Sequence, residues 1–496
     1  MGVPSALSSF ITMVVIGLLA VAWNFLYPAT SAPTIVAQTC KQLRGDLGAT
    51  LITLPSDPQY EELSEVNWSQ TAWKEPSCIA RPGCASDVQR LVRVLTANRV
   101  PFAIRSGGHS VNPFDANIDS PGVLIALDRL NQTTYDAGRG VAAIGPGARW
   151  GAVYAALDRY NVTVVGGRVL DVGVGGLMLG SGLSYLSDLY GMACDNVVVL
   201  ADGSVVEASA GEHPDLFWAL KGGANNFGIV TQFRTTTFPI NQVWGGVQVY
   251  TLEQMPDVLR AYEKYHTAPN KDLYANMVMN LSPTNDTVLV TLVYLKPEER
   301  PAAFAAFYEL TPTLEQTGVM SLTQLMGAFP AVELPRWTWY TSSFRVNGEV
   351  LGRISELLGV APEVAAVRGL PGGTLVVTVQ PISENLVLAG RDRGGNALGL
   401  RAVNQTWIAL NVAWWDEADD AAAYAAVESL HMRLEALIRE QDLALDYIFM
   451  NDANIKQPVI ASYGQENAER LRAVQRVYDP HLVFRKLVRG GQKLPA

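Results

Sequence analysis

The run Arg105-Ser106-Gly107-Gly108-His109-Ser110 constrains the fold of this chain more than any other stretch. The segment before it, Val100-Pro101-Phe102-Ala103-Ile104, is short, apolar and rich in strand formers, so the turn is expected to leave the end of a buried strand. Two adjacent glycines let backbone N–H groups converge into an anion-binding concavity, and Arg105 is expected to add a fixed positive charge, an arrangement that suits a pyrophosphate. Downstream, Gly166-Gly167-Arg168-Val169-Leu170-Asp171-Val172-Gly173-Val174-Gly175-Gly176-Leu177-Met178-Leu179-Gly180-Ser181-Gly182 spaces its glycines irregularly. That predicts neither helix nor regular strand, but a backbone that a flat or phosphorylated group approaches closely. The G-x-G-x-x-G dinucleotide pattern fails here, because Met178 stands where its third glycine belongs. A third segment, from Lys221 through Asn225, Asn226, Gly228, Ile229 and Val230 to Thr231, runs from small residues into a β-branched strand. It is expected to close over the adenosine end of a bound dinucleotide.

Together these segments resemble the berberine bridge enzyme-like branch of the vanillyl-alcohol oxidase and p-cresol methylhydroxylase flavoproteins, closely over roughly residues 70–240 and more weakly to the C-terminus. The resemblance implies FAD, carried through an 8α-histidyl bond by the histidine of the R-S-G-G-H-S turn, which is His109. Many relatives attach the flavin a second time through a cysteine four residues before the first glycine of G-V-G-G; here Val169 stands there, so no cysteinyl link is expected. Leu177 replaces a histidine that often follows that motif. Val172 holds the place of a small residue that leaves room for O2, which favours an oxidase. The cofactor set implied is Arg105, Ser106, Gly107, Gly108, His109 and Ser110; Val172, Gly173, Gly175, Gly176, Gly180, Ser181 and Gly182; Asn225, Asn226, Gly228, Ile229 and Val230; and Asn451.

Composition agrees with an exported enzyme. The chain has 496 residues, of which 49% are hydrophobic, so two or three domains are expected. A formal net charge of −10 with no basic stripe argues against nucleic acid as a partner. Residues 10–26 are almost wholly apolar and no charged side chain precedes Lys41, which predicts a signal peptide, or a signal anchor if retained. Thr30-Ser31-Ala32 and Ile35-Val36-Ala37 offer cleavage sites. Sequons at Asn67, Asn131, Asn161, Asn280, Asn285 and Asn404 predict a glycoprotein of the secretory lumen or the exterior. Cys40, Cys78, Cys84 and Cys194 allow three complete pairings. Cys194 reads as a buried thiol, and Cys40 would pair with Cys78 or see Cys84 as the rival partner. With five histidines and no ligand spacing, no metal site is expected.

Periodicity sets the organisation. Residues 86–98 predict a helix capped by Ser86, and Trp150 to Tyr160 a second; Val197 to Leu200 with Val205-Val206 predicts a hairpin across Asp202-Gly203. Beyond about residue 245, strands are expected at 248–250, 274–278, 288–294 and 406–412, helices at 255–265 and 301–310, and a long Ala-rich helix at 420–442. The fold class is therefore α+β. Residues 1–37 form the targeting segment, 38–240 and 441–496 a two-part FAD-binding domain as the resemblance implies, and 241–440 an inserted substrate domain with an antiparallel sheet backed by helices.

Relatives commonly place tyrosines on both sides of the tail asparagine, one of them acting as or supporting the catalytic base. Around Asn451 those positions are Phe449 and Asp452. Phe cannot exchange a proton, whereas a partly buried Asp452 is a candidate base; a solvated loop carboxylate is its other reading. Tyr447 and Tyr340 are the fallback donors, and Trp337 and Trp339 share a strand face that walls a substrate pocket or packs the core. The expected reaction is hydride transfer from a substrate C–H to the flavin, with O2 reduced to hydrogen peroxide. The substrate is a small molecule: an alcohol, amine or phenolic intermediate of specialised metabolism, or alternatively an oligosaccharide. A redox-neutral cyclase or FAD-holding binding protein is the reading from another class.

Overall fold

The computed structural model describes residues 32–192, 195–199, 204–328 and 333–495. The apolar stretch 10–26 and Cys194 lie outside them. Among the described residues no helix is long and apolar enough to cross a membrane.

Among the described residues, three sheets carry the fold. The first orders strands Ile52–Thr53, Cys78–Ala80, Val123–Ala126 and Phe102–Arg105, the last three mutually parallel. The apolar run before the glycine turn is thus a buried edge strand, as expected from its composition. Helix Ala85–Ala97 packs on this sheet through Val88, Leu91, Val92 and Leu95. Its N-cap is Cys84 rather than Ser86, with Asp87 accepting from the Gly83 amide. Helix Ala32–Leu47 joins the same core and runs across position 37. Of the alternative pairings, Cys40 bonds Cys78, with Cα atoms 6.0 Å apart, and Cys84 is an exposed free thiol.

The second sheet is antiparallel and centres on Ile229–Phe238, flanked by Val141–Ile144 and by the hairpin of Asp195–Val199 with Val205–Ala208. The third has eight antiparallel strands, in the order Leu314–Ser321, Gln242–Thr251, Thr287–Tyr294, Ala275–Ser282, Thr374–Ile382, Gln405–Trp414, Arg336–Arg345 and Ala444–Leu445. Pleating splits its residues between two faces. One face sets Met279, Tyr340, Phe344, Val377, Ile408 and Leu410 against helices Met255–His266, Gly348–Val360 and Asp420–Glu440. The last helix buries Ala423, Ala426, Val427, Leu430, Leu434, Leu437 and Ile438, the stripe a 3.6-residue period requires. The opposite face turns Trp407 into a core shared with Ile144, Val230 and Phe233 of the second sheet. Residues 301–310 form only single-turn pieces, Ala302–Phe304 and Ala305–Tyr308.

The tail returns to the first half of the chain. Phe484 packs edge-on against Phe102, at 6.2 Å between centroids, and the Gly491 amide donates to Asp115 at 3.0 Å.

Candidate active site

A crevice of about 380 Å3 opens between the glycine-bearing segments and the inner face of the large sheet. Its floor is backbone. Gly107 and Gly173 meet so closely that a Cβ on either would strike the main chain of the other. Gly108 takes a φ of +70°, which glycine adopts without strain. Ser106 locks the two loops, its hydroxyl donating to Pro146 O at 2.5 Å and accepting from the Gly175 amide at 3.0 Å. Gly176 faces open space.

The glycine-rich stretch was expected to avoid regular structure, yet Val174–Leu179 is a short α-helix with Gly173 as its N-cap. Small residues permit this, because they let the turn of helix lie directly on Ser106 and Pro146. Behind that helix, Gly180 packs on the Asn451 side chain, whose Nδ2 donates to Leu177 O at 3.2 Å. Ser181 and Gly182 sit behind the wall and do not line the crevice.

Arg105 does not point where its sequence position suggested. Its guanidinium donates to Leu63 O at 2.6 Å and Asn67 Oδ1 at 3.3 Å, in the layer beneath the turn. The cation that reaches the turn is Arg149, which donates to Gly107 O at 2.9 Å and pairs with Asp171. Asn226 is also structural: its amide donates to Gly223 O and Gln492 O and accepts from the Leu494 amide. Its neighbours Asn225, Gly228, Ile229 and Val230 line the crevice, together with Ser110, Val172 and Asn451.

His109 stands at the crevice with its ring flat on Trp68, 4.4 Å between centroids and 9° between planes. Burial pushes its pKa down to about 4, so the imidazole is neutral at ordinary pH. Trp68 stacks in turn on Trp337 at 4.7 Å. Trp339, on the same strand face, does line the crevice, and its indole donates to Ala453 O at 3.2 Å.

Asp452 lies in the crevice with Phe449 and Asn451. Burial raises its carboxyl pKa, against the opposing pull of a hydrogen bond from Gln380 Nε2 at 2.9 Å and the field of Arg168. It is no solvated loop carboxylate. The same Gln380 amide accepts from Arg168 through its oxygen, so one side chain bridges cation and acid. Neither Gln380 nor Arg168 stood out in the sequence as a polar partner of Asp452. Asp115 was also missed: it lines the crevice and accepts from Ser110, Asn112 and Gly491.

The two fallback tyrosines lie elsewhere. Tyr447 packs between Trp407 and Tyr463 outside the crevice lining, and its hydroxyl has no hydrogen-bond partner among the described residues. Tyr340 points to the helix-covered face of the sheet, stacked on His431 at 4.7 Å.

The floor, the imidazole and the carboxylate suit a flat dinucleotide with a redox head, and comparisons with known proteins agree. An FAD binding domain model matches residues 76–209. A FAD-dependent monooxygenase of Arthrobotrys oligospora is 36% identical over 445 residues, covering 87% of this chain and 85% of the relative. A bifunctional solanapyrone synthase of Alternaria solani is 35% identical over 457 residues, covering 90% and 87%. The solved glucooligosaccharide oxidase of Acremonium strictum, described with a 6-S-cysteinyl, 8α-N1-histidyl FAD, superposes with a TM-score of 0.75 at 20% identity, covering 92% of this chain and 98% of that one. The chain belongs to the berberine bridge enzyme-like FAD-dependent oxidoreductases of the vanillyl-alcohol oxidase and p-cresol methylhydroxylase family.

Proposed function

We propose that the chain is a secreted oxidase that holds FAD through one covalent bond to His109 and oxidises an alcohol, amine or phenolic intermediate of specialised metabolism, with O2 as electron acceptor. One observation carries the reading: a neutral imidazole and a half-buried carboxylate, far apart in sequence, line the same glycine-floored crevice. When bound, the flavin supplies a hydride acceptor and a route for the electrons to O2, which leaves as hydrogen peroxide.

The residues present fit that group. Gly107, Gly173 and Gly176 leave backbone without side chains along the floor, where a Cβ would either clash or intrude. Neutrality leaves a ring nitrogen of His109 nucleophilic, and Trp68 fixes the plane from which it acts. Val169 faces the crevice, 49% exposed, and brings no thiol, which supports attachment at one point. Asp452 is the proposed proton acceptor. Its raised pKa makes it a stronger base once ionised than an exposed aspartate, and Gln380 holds the carboxylate oriented. Phe449 beside it exchanges no proton and leaves the wall apolar, which favours an intermediate of specialised metabolism over a sugar. Residues 38–240 with 441–496 serve the cofactor and 241–440 the substrate.

The Cys40–Cys78 bond favours an oxidising compartment. Of the sequons, Asn131, Asn161 and Asn285 are exposed and are the proposed glycan sites. Asn67 is buried against Arg105 and Asn117, so a glycan there is incompatible with the fold.

The test is acid precipitation of the purified protein. Yellow fluorescence should stay with the polypeptide, and His109→Ala should release it from a folded chain. A peroxide-coupled assay over alcohols, phenols and sugars then reads turnover; colourless wild-type precipitate, or silence across the whole panel, would overturn the reading.

A further inference from the structure

Arg168 is a cation that the proton chemistry of Asp452 does not require. It reaches into the crevice from the segment between strand Thr163–Val164 and the short helix Val174–Leu179, and loss of water lowers its pKa. Its partners among the described residues are neutral: the Gln380 amide oxygen, and the Tyr185 ring with its centroid 5.9 Å from the guanidinium carbon. Asp452 acts on it only as a field, and one oxygen of that carboxylate accepts from the other end of Gln380. A guanidinium drawn out of water without a bonded carboxylate carries a desolvation penalty that a bound anion offsets. Its planar fork of donors matches a carboxylate or phenolate. The crevice it enters is lined in part by the apolar and aromatic side chains of Leu177, Leu183, Phe449 and Trp339.

We infer that Arg168 sets the substrate specificity of this site, gripping one acidic oxygen group of a molecule whose remaining skeleton is an apolar ring system. A neutral sugar offers the guanidinium no countercharge. The inference rests on the proposed oxidase reading only for which carbon reacts, and the binding of the anion is separable from it.

The probe is benzoate against benzamide, a neutral molecule of the same shape, titrated calorimetrically into the purified protein. Benzoate should bind at least about tenfold more tightly, the worth of one charge-assisted hydrogen bond set. Arg168→Gln should erase that preference, and Arg168→Lys should restore part of it. Gln380→Glu keeps the arginine but gives it a built-in carboxylate, and should erase the preference too; it decides the question if Arg168→Gln fails to fold by circular dichroism. Equal binding of both probes to the wild type, or a preference that survives in Gln380→Glu and in any folded Arg168→Gln, overturns the inference. Preference for benzoate in a protein that forms no peroxide with any compound sinks the oxidase reading alone, and peroxide formation without the preference sinks this one alone.

Discussion

The floor of the crevice, from Gly107 to Gly176, is made of backbone, whereas the wall above it is made of side chains carried on strands and on the C-terminal tail. The difference divides the labour. A backbone surface tolerates almost no substitution where two main chains touch, and it presents the same amide groups to any ligand. A side-chain surface can change its chemistry one residue at a time while the sheet beneath keeps its register. The floor therefore suits an invariant cofactor and the wall suits a variable substrate.

The sharpest way to break that contrast is within the floor itself. Gly173→Ala drives a Cβ into the Gly107 main chain, and the two loops cannot both stay in place. Its cost should reach about 3 kcal/mol or more, read as a fall in thermal midpoint together with loss of bound flavin. Gly176→Ala, three residues on, meets nothing within 4 Å and should leave stability within about 0.5 kcal/mol of the wild type. Similar losses at both positions would mean that the floor is not built by backbone contact.

The wall should answer differently, in rate rather than stability. Asp452→Asn preserves shape and the crevice, so flavin content should hold while kcat falls by about 10²–10⁴, the usual worth of a general base. As the proposed base, Asp452 would work ionised, and burial raises its pKa. Activity of the wild type should therefore be lost as pH falls, with the acid limb of kcat/KM lying above the ordinary carboxylate range, and Asp452→Asn should remove that limb. An unshifted limb would return Asp452 to the role of a structural carboxylate.

Between floor and wall, Asn226 ties the tail to the first half of the chain through two hydrogen bonds, to Gln492 O and from the Leu494 amide, while a third to Gly223 O fixes its own loop. Asn226→Ala leaves their backbone partners buried and unmet, and should lower stability by about 2–3 kcal/mol in chemical unfolding, with the tail exchanging its amides faster.

The same contrast explains what could be read from the sequence. The floor was legible because its requirement is local: a buried strand, two glycines and a histidine sit within ten residues, and no distant partner is needed to interpret them. Where a distant partner did matter, the reading missed. Arg105 turns away from the turn because Leu63 O and Asn67 Oδ1, some forty residues earlier, accept its protons. The wall was legible only in the tail, where Phe449 and Asp452 depart from a recognisable pattern. Gln380 lies in a strand buried on both faces, which shows no polar alternation to mark it. Arg168 stood in plain view among glycines, but its neighbour Gln380 is 212 residues away, and only the folded sheet brings them together.

Tyr340 provides the smallest expected effect and the finest test of the wall. From sequence it was a candidate proton donor, and it lies one residue from Trp339, which does line the crevice. Strand geometry sends neighbours to opposite faces, so that one-residue step carries Tyr340 into the helix-covered layer. There it stacks on His431, and burial with the nearby Glu428 carboxylate pushes its phenol up to about 12. Tyr340→Phe removes only its bond to Glu428, worth about 1 kcal/mol of stability, and should leave kcat, KM and flavin content unchanged. Trp339→Ala, on the crevice side, should raise KM for ring-bearing substrates at unchanged flavin content. A kinetic defect in Tyr340→Phe larger than that of Trp339→Ala would place the strand in the other register, turn its faces over, and with them the assignment of every side chain on the wall that this strand contributes.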